Sequence, residues 1–315
     1  MIPGLPAGGA TPGVPPVAVA VGLAFVLEVA VGEPPADAHP VALFGRVVDR
    51  VADRSWPAPK LAGAVVALAL PVAAAAAVYL PLRAAMALPD AVVAVLAGLV
   101  LWSTTSLRLL LELGERVVGQ SDADPAAARE ALPALVGRDP AALSAPLIRS
   151  AAVESLAENL SDGLVAPVLA FVVLAVVSLP AAAAGAAFVK AVNTMDSMLG
   201  YPGEFGWGSA RLDDLVMLVP ARATAVLLGP AAGDPEAAWR ARRYARKPAS
   251  PNAGWPMGAL AAALTVRLEK PGAYVLNDVA APPTVADGEA AVAAVRRAGA
   301  VTYILAAAVG VVLWL

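Results

Sequence analysis

The sequence predicts an all-α integral membrane protein, a polytopic helical bundle of about five to six spans. Three observations carry this. Of 315 residues, 59% are apolar and only 15% charged, with a mean hydropathy of +0.73, whereas a soluble domain carries about a quarter charged residues. The apolar residues gather into runs at 14 to 31, 61 to 82, 88 to 107, 164 to 188 and 298 to 315, with a weaker one at 212 to 230. Each run is near the roughly 17 to 25 residues that cross a bilayer as a helix. Alanine dominates them and aromatics make up 5% of the chain, which suits closely packed small-residue helices and not the alternating strands of a barrel.

Taken in order, residues 1 to 16, MIPGLPAGGATPGVPP, hold no Lys or Arg, so the basic region of a cleavable signal peptide is missing. They read as a flexible leader to a single membrane-embedded catalytic domain over 17 to 315. After the first span, VGEPPADAHPVALFGRVVDR (31 to 50) holds the only histidine, His39, in a Pro-rich turn; such a residue is first a structural, hydrogen-bonded one. Two further spans follow. Between 120 and 150, Asp-Pro pairs at 124/125 and 139/140 predict two short cytoplasmic helices, with Asp as cap and Pro at the first helical position. Pro167, Pro180 and Gly185 interrupt the run at 164 to 188, which predicts broken or re-entrant helices across 164 to 230, tolerated at membrane depth where they line a cavity. RKPASPNAGWP (246 to 256) reads as a tight turn with Ser250 and Asn252 as local cap formers.

Orientation follows from charge. Lys and Arg number four in 32 to 60, five in 108 to 163 and nine in 231 to 297, against none in 1 to 16, so the basic loops face the cytoplasm and the amino terminus lies outside. A single crossing over 164 to 188 would then place 189 to 211 opposite the carboxylates of 153 to 163; a hairpin would return it to their side. The net charge of -3 and scattered basic residues exclude a nucleic-acid partner. With no cysteine, disulfides, thiolate metal sites and cysteine nucleophiles are excluded too. No GxxxxGK[ST], HExxH or GxSxG pattern is present, and no GxGxxG follows a strand.

Two polar blocks remain. In VESLAENLSDGLVAP (153 to 167), Glu154, Glu158 and Asp162 are four and eight residues apart and so share one helix face. Their hard oxygens, with Asn159 and Ser161 beside them, suit magnesium; a solvated helix end paired with Arg149 explains them equally well. In the block from 190 to 222, Lys190, Asn193, Thr194 and Ser197 form a polar stripe able to hold an anion, with Asp196 alongside. Arg211 and Asp214, three apart, can pair and leave Asp213 directed elsewhere. Arg222 sits in an apolar stretch, where it is a functional candidate or a snorkelling side chain. Such groups fit an enzyme, or a transporter of an anionic solute with a polar site at mid-membrane.

Taken together, GEPPADAHPV with Gly45, VESLAENLSDGLVAP, KAVNTMDSMLGYPGEFGWGSARLDDL with PAR at 220 to 222, and SPNAGWP resemble the adenosylcobinamide-phosphate synthases of cobalamin biosynthesis, over about residues 23 to 276. The chain departs from the family's usual residues at Leu160, Met217, Leu218 and Pro248. The resemblance implies a multi-pass enzyme of the cell membrane, its active site facing the cytoplasm. It would join the free propionate carboxyl of a corrinoid, adenosylcobyric acid, to (R)-1-amino-2-propanol or its O-phosphate. Making an amide in water needs an activated acyl group, from which ATP and Mg2+ are inferred. Glu154, Glu158 and Asp162 would then hold the magnesium, and Asp213 or Asp214 would be a further ligand or the base. Lys190, Arg211 and Arg222 would neutralise phosphate oxygens, and Asn193, Ser197 and Asn252 would orient the amine or the corrin amides. Asp196 and His39 complete the expected binding set. Membrane lipid, other enzymes of the pathway and a second copy of the chain are the further partners expected.

Overall fold

Helices in this chain start where a proline loses no hydrogen bond. Pro16, Pro40, Pro59 and Pro125 each open a helix, at the position whose N–H has no intrahelical partner. The computed structural model describes residues 15 to 315 other than 36, 138, 201 and 202, so the leader expected at 1 to 16 lies almost wholly outside the described residues. The first elements are α1 (Pro16–Ala30), α2 (Pro40–Ala52), α3 (Pro59–Ala85), α4 (Asp90–Thr104), α5 (Arg108–Ala123) and α6 (Pro125–Ala131). Asp124 caps α6 by accepting the Ala127 N–H at 3.1 Å, as its Asp-Pro pair predicts. The second pair forms no helix. Asp139 accepts the Ala141 N–H at 2.9 Å in a local turn, a side-chain bond that competes with helix initiation, and α7 (Ala145–Leu160) begins only after Ser144.

A single span over 164 to 188 is not observed. Instead α7 passes through a π-turn at 161 to 165 into α8 (Ala166–Ala175), and α9 (Leu179–Leu199) packs back against α8. Ser178 caps the return leg, accepting the Ala181 N–H at 3.2 Å, and Pro180 sits in its first turn. This is the hairpin that the prolines predict. The outgoing helix starts at Ala145, so the acidic trio lies within its length and not at the edge of a span beginning at 164.

Among the described residues, four helical stretches are long and apolar enough to cross a membrane: Pro59–Ala85, Asp90–Ala123, Ala145–Ala175 and Val285–Val312. Pro16–Ala30 and Leu218–Ala231 are shorter apolar helices. Leu61, Leu68, Leu80, Ile304 and Leu305 are more than half exposed, a surface that lipid and not water accommodates. The weak run at 212 to 230 divides at Met217 into α10 (Trp207–Val216) and α11 (Leu218–Ala231), followed by α12 (Ala237–Ala241) and α13 (Gly254–Ala263). The last helix, α14 (Val285–Val312), begins well before 298 because Thr284 and Asp287 form a reciprocal capping box. One β-hairpin departs from the all-α expectation. Strands β1 (Leu268–Lys270) and β2 (Tyr274–Leu276) pair antiparallel with Lys270 opposite Tyr274, and Gly272 takes φ +74° at the turn.

Two helix breaks meet inside the bundle. Between α4 and α5, the fully buried Glu28 of α1 accepts the Leu107 N–H at 2.6 Å, the Arg108 N–H at 2.8 Å and the Thr105 hydroxyl at 3.2 Å. The neighbouring Ser106 N–H donates to the Gly163 carbonyl in the π-turn at 3.0 Å. Pro167 lacks the N–H that would bond this carbonyl in an unbroken helix, so each irregularity satisfies the other, as apolar surroundings require.

Close packing of small residues holds α10 to α3. A Cβ added at Gly208 would stand 2.6 Å from the Ala64 Cα, so Gly208→Val must push the helices apart. Overpacking of this kind costs about 1 to 3 kcal/mol. The expected result is a lower thermal midpoint in detergent, and an unchanged midpoint would contradict the packing.

Candidate active site

Because the hairpin turns back, the two acidic blocks converge on one side. Asn193 of α9 donates to the Asp162 carboxylate at 3.3 Å. A cleft of about 440 Å³ is lined by Glu154, Glu158 and Asp162, by Asn193, Asp196 and Ser197 of α9, and by Lys270 and Tyr274 of the β-hairpin. A smaller chamber of about 70 Å³ shares Glu158, Asp162 and Asp196 and adds Ser161 and Asp213.

Glu154 is buried and held by two hydroxyls, Ser150 and Tyr274, each at 2.9 Å. Ser150 also accepts the Glu269 N–H at 2.6 Å, which clamps the β-hairpin to α7. Arg149 does not pair with the acids. It binds Asp122, the Ser121 hydroxyl at 3.0 Å and the Pro283 carbonyl at 2.7 Å, and α7 is buried continuously from Ile148 to Ala157. A solvated helix end neutralised by Arg149 is therefore not what the acids form.

The chamber is short of positive charge. One oxygen of Asp213 and the Ser161 hydroxyl are buried without a well-aligned hydrogen bond. Burial pushes the Asp213 carboxyl up to about 8, reinforced by the charges of Asp196, Asp214 and Glu158 and opposed by a hydrogen bond from Asn193. The Arg211 guanidinium is committed to Asp214 at 3.0 Å, as the spacing of three predicts. Lys190 is buried within the electrostatic reach of Glu33, Asp162 and Glu28. Glu33 accepts the Ser106 hydroxyl and stands 3.9 Å from His39. His39 accepts the Val41 N–H through Nδ1 at 3.2 Å and so caps α2; the structural reading of this residue holds. Burial lowers its affinity for a proton, with Glu33 acting against that effect. The polar stripe on α9 fans out, since Lys190 and Thr194 line a mainly apolar cleft near α2 to α4, Asn193 and Ser197 face the acids, and Lys190 and Asn193 share a smaller pocket with Asn159.

Two residues expected to touch substrate also tie protein to protein, and one of them, Asn252, lines the smaller chamber as well. Arg222 donates to the Leu218 carbonyl at 2.9 Å, to the Pro251 carbonyl at 3.2 Å and to the Asn252 side-chain oxygen, and it stacks 4.9 Å from the Trp255 ring. Asn252 completes the tie by donating to the Asp214 carbonyl at 2.8 Å. Together they lock the 250 to 255 turn against α10 and α11. Glu28, Glu33, Lys270 and Tyr274 were not legible as site or scaffold residues. The turn-forming Pro271-Gly272 pair was the one available signal for the last two.

The carboxylate oxygens suit a hard cation in kind, but the acidic trio does not form one ligand set. Glu154 and Asp162 are eight residues apart, about 12 Å along a helix, and among the described residues no three acidic or histidine side chains are gathered to hold an ion. One or two carboxylates with substrate phosphate oxygens is the arrangement magnesium commonly takes, and the cleft offers that much.

A model of the family described as CobD/Cbib protein matches residues 21 to 303. The chain belongs to this family. Among curated relatives it is similar to the cobalamin biosynthesis protein CobD of Mycobacterium tuberculosis, 40% identical over 93% of this chain and 94% of the relative. The Rhodobacter capsulatus protein of the same name is 38% identical over 88% and 92%, and the probable CobD of Methanothrix thermoacetophila 34% identical over 90% and 94%. No solved structure matches the chain. Since the family match spans α1 to α14, it takes in both helix breaks, the acid-lined hairpin and the β-hairpin.

Proposed function

We propose that this chain, a membrane protein of cobalamin biosynthesis, is the adenosylcobinamide-phosphate synthase. It would form the amide between the free propionate of adenosylcobyric acid and (R)-1-amino-2-propanol or its O-phosphate. The single observation that carries this reading is the convergence of acids from α7, α9 and α10 around one cleft in a membrane protein of this family. ATP with magnesium would supply the phosphoryl group that activates the propionate. Glu158 with Asp162 would hold the magnesium, and Lys270, on the cleft wall, would face the anionic propionate or phosphate. Asp213, whose carboxyl is held near the pH at which it can accept a proton, would take the proton of the attacking amine as phosphate leaves the acyl carbon. Tyr274 and Ser150 would keep Glu154 on the cleft wall. The basic loops, by their charge, favour a cytoplasmic opening.

The test is to incubate the purified protein with adenosylcobyric acid, either amine, magnesium and ATP, and to look by mass for the coupled product. Omitting ATP in a parallel reaction should abolish it. Uptake of an anionic solute into proteoliposomes without turnover would replace this reading with a transporter. Tyr274→Phe, which removes one hydrogen bond to a carboxylate, should slow coupling about tenfold, or about 1.4 kcal/mol, with the thermal midpoint nearly unchanged. An unaltered rate would remove Tyr274 from the supporting set.

A further inference from the structure

We infer that the small chamber between α7, α9, α10 and α11 is the binding site for the ammonium end of the amino alcohol, separate from the larger cleft that meets the corrinoid. The inference rests on the synthase reading and assigns one substrate to one part of the site. Size is the first ground. A water-sized group needs about 10 to 15 Å³, so a chamber of about 70 Å³ takes about five to seven such groups. Aminopropanol, with five non-hydrogen atoms, fits; a corrin ring or a nucleoside triphosphate does not.

Charge is the second. Glu158, Asp162, Asp196 and Asp213 line the chamber, and no basic side chain does so among the described residues. Anionic walls of low solvent access favour a cation and repel phosphate. With Glu158 and Asp162 assigned to magnesium, the ammonium falls to the other side of the chamber, where Asp196 and Asp213 stand. The third ground is a buried hydroxyl. Ser161 is 1% exposed and lines the chamber, and its hydroxyl lies beside the Asp162 carboxylate without a well-aligned hydrogen bond. A buried hydroxyl of this kind is costly unless a ligand completes it, and an amino alcohol carries a hydroxyl as well as an ammonium. Met217 and Ala221 supply apolar wall for the methyl group. In this arrangement the O-phosphate would project its phosphate out of the chamber into the larger cleft, where Lys270 stands.

The experiment is calorimetric titration of the full-length protein in nanodiscs with (R)-1-amino-2-propanol, its O-phosphate and 1,2-propanediol, a neutral molecule of the same size. The amine should bind at least a hundredfold more tightly than the diol. Asp213→Asn, which keeps the shape, and Ala221→Leu, which fills the chamber, should each weaken the amine at least tenfold, while adenosylcobyric acid still binds as read by its visible absorbance. Equal binding of amine and diol would overturn the inference, and so would amine or O-phosphate affinities that both variants leave unchanged. Product formation with an amine KM that Ala221→Leu does not move would discard the chamber and keep the synthase. Amine binding that both variants abolish, with no coupled product from the unsubstituted protein, would keep the chamber and discard the synthase.

Discussion

Glu158→Gln should abolish formation of the coupled product while the protein still inserts into the membrane. Glu158 lies one turn from Glu154 and one turn from Asp162, and it lines both the cleft and the chamber. The substitution preserves shape and removes one negative charge from the place where cation and amine are proposed to meet. Loss of a metal-holding or proton-handling carboxylate costs about 100- to 10,000-fold in rate. The measurement is product by mass over time, with membrane fractionation and thermal midpoint as controls. Because α7 is an apolar helix whose burial does not depend on this charge, insertion should be normal. Full activity in the variant would remove the carboxylate cluster from the chemistry.

Glu28→Ala should be the most destabilising single change outside the cleft. The carboxylate is fully buried and accepts two backbone N–H groups at the start of α5 together with the Thr105 hydroxyl, to which Tyr303 donates in turn at 3.0 Å. Removing it leaves the first amides of α5 without partners, where they also lose the anion that favours a helix amino terminus. At about 1 to 3 kcal/mol for each buried donor left unsatisfied, the expected loss is about 3 to 5 kcal/mol. It would be read as a large fall in thermal midpoint or as failure to purify in a folded form. Glu28→Gln keeps an acceptor oxygen and should lie between the two. A midpoint in Glu28→Ala equal to that of the unsubstituted protein would show that the α4–α5 break does not depend on this cap.

The break matters to the site because of what it touches. Ser106 completes the Gly163 carbonyl beside Asp162 and also donates to Glu33, whose charge acts on Lys190. A disturbance at Glu28 therefore has a short physical route to the acids. Coupling of this kind predicts that Glu28→Gln, even where folded, turns over more slowly than its modest loss of stability alone would suggest.

Properties that add up along the chain were legible without coordinates. Hydropathy is a local sum, so the membrane class and the approximate places of α1, α3, α4 and α14 follow from composition. Proline chemistry is also local. It marked the first residue of α6 and the interruption that becomes the α8–α9 hairpin, though the second Asp-Pro pair opened no helix. The i, i+3 pairing of Arg211 with Asp214 needed nothing beyond helical geometry. By contrast, the destinations of Arg149, Arg222 and Glu154 could not be read. Arg149 meets a carbonyl 134 residues away, Arg222 an amide 30 residues away, and Glu154 a tyrosine 120 residues away. A charged side chain in an apolar interior takes whichever partner the fold brings within about 3 Å, because leaving it unpaired costs more than any local preference can offset. The residue types in the site were thus written into the chain, but which of them face a substrate and which only hold the scaffold was decided by how the helices pack.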